Sequence, residues 1–270
     1  MRISLVLAVS LAMTAALDAQ WLNYPTRGVP RTADGKPNLS APAPRLPDGK
    51  PDLTGIWELE PDAPCPPGGC QIDGYRPGTE FRNLGAKLPG GALPYQPWAA
   101  ALVKQRTADD GKDDPVGFCK PGGAVRLLTY PPYRKFIQLP DLFVILSERD
   151  VTYRQVFLDG RALPDDPNPT FNGYSTGRWE TDALIVQTNG LREGTWLDRN
   201  GSFISEAAKM TERFRRVNYG RLDIDLTIDD PKVYTKPWTV TLRQRIVLDT
   251  ELIDYHCNEN EKSMQHMVGK

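Results

Sequence analysis

Histidine is nearly missing from this chain: His256 and His266 are the only two in 270 residues. A zinc centre needs several ligands at close, regular spacing, and the four cysteines provide no second close pair to complete one. The expectation is therefore no metal and no cofactor. Neither sign of charge dominates, with 33 Lys and Arg against 34 Asp and Glu and both signs interspersed, so the net charge is −1. That balance argues against a nucleic-acid partner or a polybasic membrane contact. The longest apolar run, residues 3–16, falls short of the about 20 residues a spanning helix needs. Serine-hydrolase and nucleotide-dependent chemistry are disfavoured, because no Gly-Xaa-Ser-Xaa-Gly elbow, phosphate loop or dinucleotide fingerprint is present.

The short apolar run does have a use. Met1 and Arg2 precede it and Leu17-Asp18-Ala19 follows it, which reads as a secretory signal peptide over residues 1–19. No cysteine stands near the cleavage point to carry a lipid, so the mature protein is expected to be periplasmic or secreted, without membrane insertion after cleavage. Cysteines in an oxidising compartment argue for bridges. Cys65 and Cys70 enclose a tight Pro-Pro-Gly-Gly loop, leaving Cys119 and Cys257 as a long-range pair.

Proline and glycine dominate the arm of residues 20–52, where they forbid a helix interior or a central strand. Two phrases in it nearly repeat: Thr32-Ala33-Asp34-Gly35-Lys36-Pro37 and Leu46-Pro47-Asp48-Gly49-Lys50-Pro51. Both read as Asp-Gly turns in a strap rather than as a binding repeat. An irregular insertion over 60–124 holds one good helix candidate, near 97–106, with Pro97 at its first position and Trp98, Leu102 and Val103 on one face.

Beyond it the chain alternates apolar and polar residues in short runs: 135–139, 142–147, 152–158, 175–180, 183–188, 210–216, 222–228, 239–248 and 252–257, beside 55–59. Hairpin-length polar links such as Pro140-Asp141, Thr181-Asp182 and Tyr219-Gly220 join most of them. The fold class predicted is all-β: an antiparallel meander closing into a barrel of about eight to ten strands, in one domain over 53–262 with a polar tail over 263–270.

Several phrases together carry a resemblance. They are Asp159-Gly160-Arg161, Gly177-Arg178-Trp179-Glu180-Thr181-Asp182, Thr195-Trp196-Leu197-Asp198, Thr211-Glu212-Arg213, Asp229-Asp230-Pro231, Pro237-Trp238 and Cys257-Asn258-Glu259-Asn260. The chain resembles a large family of exported proteins of soil bacteria that has no settled activity. The resemblance implies a lipocalin-like strand order, which does not carry a function with it. Relatives have histidine near positions held here by Leu163 and Ile204, so any histidine mechanism is left to His256.

Four residues are nominated for proton chemistry: Glu212, Asp198, His256 and Arg154. Glu212 lies inside a strand and needs a partner from another strand if it faces inward; Arg154 and Arg178 are the two considered. The plainer reading of each is structural: a buried ion pair for Glu212, a turn cap for Asp198, a solvated side chain for His256. Tyr174, Arg178, Trp179, Trp196 and Trp238 are nominated as ligand-binding, since aromatic surface with a few polar groups builds pockets for flat or sugar-like molecules. The function expected is binding of a small, partly apolar or aromatic molecule in the barrel interior. The alternatives are cofactor-free lyase, hydratase, isomerase or hydrolase chemistry there, and an envelope interaction module that uses the arm.

Overall fold

The computed structural model describes residues 24–62, 78–131, 133–149 and 151–257. Nine strands form a closed barrel in chain order: β1 (Gly55–Leu59), β2 (Arg134–Gln138), β3 (Leu142–Ser147), β4 (Thr152–Phe157), β5 (Tyr174–Glu180), β6 (Ala183–Asn189), β7 (Lys209–Arg216), β8 (Arg221–Asp229) and β9 (Trp238–Val247). This is the lipocalin-like all-β meander expected. Sequence neighbours pair antiparallel except β4 and β5, which run parallel through Val156 opposite Ser175 and Phe157 opposite Thr176. Parity requires one such pair, because nine strands that alternate up and down cannot close with every neighbour antiparallel. Residues 158–173 supply the crossover that returns the chain to the end where it began β4.

Residues 252–257 do not form a tenth strand. β9 closes the barrel against β1, with Trp57 opposite Ile246, and the following segment makes only an isolated bridge between Arg149 and Tyr255. Its alternation looks strand-like, but both edges it would need are already taken. It is held instead by Ile253 N–H donating to Glu148 Oε1 and by the disulfide between Cys119 and Cys257. That long-range bridge is the one expected; Cys65 and Cys70 lie outside the described residues.

Inward side chains alternate with outward ones along each strand, so burial has a period of two, as in the BeBeBeB run of β9. Phe136, Phe143 and Phe214 come from β2, β3 and β7 and pack edge to face, with ring centroids 5.3, 5.5 and 6.0 Å apart. Trp57, Ile145, Leu184, Ile224 and Leu242 complete a filled axis. Burying side chains of this size contributes roughly 1.5–3 kcal/mol each.

Two helices stand at the end of the barrel where β5 and β9 begin. The longer, α1 (Pro97–Ala108), covers the predicted helix and flanks the barrel, burying Ala99 and Val103. The shorter, α2 (Gly123–Thr129), has no amphipathic period to betray it in sequence, since all seven of its residues are buried. It plugs the mouth. Arg134 caps it by donating to the carbonyls of Leu128 and Tyr130, both at 2.7 Å. Gly123, at φ +78°, allows the approach: a Cβ there would sit 2.7 Å from Thr195 Cγ2.

The arm crosses the opposite end. Its two phrases form the same miniature hairpin, with bridges between Arg31 and Pro37 and between Arg45 and Pro51. In each, the arginine donates across the turn, to Gly35 O and Gly49 O, both at 2.7 Å. Leu39 and Ala41 accept from the amides of Gly220 and Tyr219, at 2.8 Å each, and Arg216 donates to the Asp52 carbonyl. Among the described residues, no helix is long and apolar enough to cross a membrane.

Candidate functional site at the barrel mouth

Strand alternation sends Glu212 inward from β7, where it would be an uncompensated charge without a partner. Arg154 from β4 meets it with two parallel N–H donors, one at 2.8 Å to Glu212 Oε1 and the other to Oε2. The same guanidinium donates to Ser175 Oγ at 3.1 Å and Thr188 Oγ1 at 2.8 Å. Both charged side chains are at most 1 % exposed. Of the two arginines considered, Arg154 is therefore the partner, while Arg178 is exposed and pairs with Glu180 at 2.6 Å. With both oxygens committed to a permanent cation, Glu212 is poorly placed to take a proton from a substrate.

Asp198 is also buried and fully engaged. It accepts from Leu84 N–H and Ser202 N–H at 3.0 Å and from the Ser202 hydroxyl at 2.6 Å. Ser202 Oγ lies 2.8 Å from Tyr95 Oη. Burial pushes the Asp198 carboxyl above its ordinary pKa, against the pull of these hydrogen bonds. Asp198 thus ties the segment around Leu84 to its own loop. His256 stands on the surface, its ring nitrogen 3.6 Å from Asp254, with both side chains more than half exposed.

The nominated aromatic residues do not converge. Tyr174 is half-buried and leans on Phe157, with its hydroxyl 3.2 Å from an Arg161 nitrogen. Trp179 packs at the edge of the core near the far end. Trp238 is buried against Tyr234, ring centroids 5.4 Å apart. Of them, Trp196 lines a cleft of useful size. Ile204 is buried in the core and Leu163 lies half-buried in the crossover.

That cleft, about 390 Å³, opens between the segment before α2 and the loop before Trp196. Its sides are Val116, Phe171 and Trp196, and Arg126, Lys120 and Arg192 add charge. The volume is in the range usual for small-molecule sites, about 300–1,000 Å³. Arg126 projects from α2 and is 1 % exposed; one nitrogen donates to Asp114 at 2.7 Å and another to the Asp198 carbonyl. Arg192 stacks over Phe171, 4.8 Å from the ring centre. Cys119, one end of the disulfide, forms part of the wall.

Arg126, Lys120 and Arg192 escape the reading of sequence because they come from a helix and loops with no periodic signature. The adjacent glycines 122 and 123 were the available signal, since a Gly-Gly pair before an apolar run marks a close backbone approach. Among the described residues, no group of three or more His, Cys, Asp or Glu is placed to hold a metal. Comparison with protein-family models, with curated proteins and with solved structures finds no match to this chain.

Proposed function

We propose that this is an exported binding protein that takes a small, flat, partly apolar molecule at the mouth of its barrel. One observation carries the reading: the mouth cleft brings Trp196 and Phe171 together with arginine donors, in a scaffold braced by α2 and by a disulfide 138 residues apart in sequence. Apolar walls with few, fixed polar groups are how small-molecule sites are built. The packed axis of the barrel supports a site at the mouth rather than the interior site expected from sequence. Export is supported by the leader-like residues 1–19 and by the bridge, which persists best outside a reducing compartment. Binding is favoured over acid-base catalysis because the carboxylates of Glu212 and Asp198 are saturated, and His256, exposed beside Cys257, does not line the cleft.

The test is a thermal-shift and tryptophan-fluorescence screen of the oxidised mature protein against planar small molecules. At least one class is expected to raise the melting temperature and quench Trp196. Phe171→Ala should abolish both effects with an unchanged circular-dichroism spectrum. A screen without any shift, or binding indifferent to Phe171→Ala, overturns the proposal.

A further inference from the structure

The cleft's charges are unequal. Three cations, Lys120, Arg126 and Arg192, line it against one acid, Glu193, and Lys120 and Arg192 at its rim have no carboxylate partner among the described residues. Below the rim, Arg126 forms part of the lining. Its two terminal nitrogens are engaged by Asp114 and the Asp198 carbonyl, and its Nε is shut off from the cleft without a hydrogen-bond acceptor, a standing cost that a ligand oxygen relieves only if the side chains above it part. The aromatic surfaces lie beside these cations, with Arg192 stacked on Phe171 and Arg126 6.0 Å from the Trp196 ring centre.

We infer that the ligand of this cleft is an anion: a small aromatic carboxylate, its ring against Phe171 and Trp196 and its carboxylate among Arg126, Arg192 and Lys120. The inference rests on the mouth-cleft reading above and adds the charge of the ligand to it. An uncharged amide of the same shape keeps the ring contacts but loses the charge-assisted hydrogen bonds, which are about twice as strong as neutral ones. Arg192 and Lys120 supply the net attraction, because the charge of Arg126 is already balanced by Asp114.

Isothermal titration with 2-naphthoate and with its uncharged isostere 2-naphthamide separates the ideas. Naphthoate is expected to bind at least about ten-fold more tightly. Arg192→Gln and Lys120→Gln, both at exposed positions, should each weaken naphthoate several-fold and the amide by less, with an unchanged circular-dichroism spectrum. Raising the salt concentration should narrow the gap between the two probes. Equal affinities, or a preference for naphthoate that survives the double variant, overturn the anion inference and leave the cleft standing. If neither probe quenches Trp196, nor competes with a ligand found by the screen, the anion inference fails. If the screen has also found nothing, the cleft reading fails with it.

Discussion

A charged side chain inside a barrel is tolerated only when its partner arrives in good geometry, and Glu212 shows how complete that matching is here. Arg154 meets both carboxylate oxygens, and Ser175 and Thr188 take two more of the guanidinium's five donors. Removing one partner should cost far more than removing both. Glu212→Gln is expected to lower unfolding stability by about 3–5 kcal/mol, and Arg154→Met with Glu212→Leu to recover most of that loss. Urea denaturation of the wild type and the two variants measures it; an equal loss in the single and the double variant would show that the pair is not the source. Sequence placed Glu212 on a strand and named Arg154 as one of two partners. It could not choose between them, because strand order alone does not say which distant side chains reach the same level of the barrel.

At the scale of elements, the repeated turns of the arm are the same structure in two settings. Arg45 of the second hairpin binds Asp182, at the tip between β5 and β6, with contacts of 2.8 and 3.1 Å, while the Arg31 guanidinium of the first donates within its own turn, to Gly35 O. The Arg45 guanidinium holds the Asp182 carboxyl below its ordinary pKa. A depressed folded pKa means that the unfolded chain binds the proton more readily. The clamp therefore contributes fully above the ordinary carboxylate pKa, about 3.9, and is lost as pH falls through the lower folded value. Limited proteolysis should release the arm faster at pH 3 than at pH 7, and Arg45→Ala should make release fast at both. Equal rates for wild type and variant at pH 7 would show that the backbone bonds at Tyr219 and Gly220 hold the arm alone. The elements misread from sequence share a cause. Helix α2 is buried all round and so has no period, and residues 252–257 have a strand's period with no free edge to join.

Closure of nine strands is a property of the whole molecule. It requires one parallel pair, supplied here by β4 and β5 with the crossover of residues 158–173, and it pairs β1 with β9, far away in sequence. The bridge between Cys119 and Cys257 spans 138 residues, enclosing β2 to β9. By chain entropy alone such a loop is worth up to about 5 kcal/mol, although measured values usually fall below that figure. The Cys119→Ser, Cys257→Ser variant should lose stability in guanidinium titrations and expose the C-terminal segment to protease. A stability within about 0.5 kcal/mol of wild type would mean that loop closure adds nothing measurable. The mouth cleft should suffer in the same variant, since Cys119 forms part of its wall.

The strands, the barrel class, the arm with its paired turns and the long-range bridge were legible along the chain, because alternation, Asp-Gly turns and cysteine arithmetic are local signals. What only the tertiary structure decided is which inward charges meet, which end is plugged, and that the axis is filled while an arginine-lined cleft opens at the mouth. Those outcomes depend on the level each side chain occupies around a closed sheet, and that level is set jointly by all nine strands.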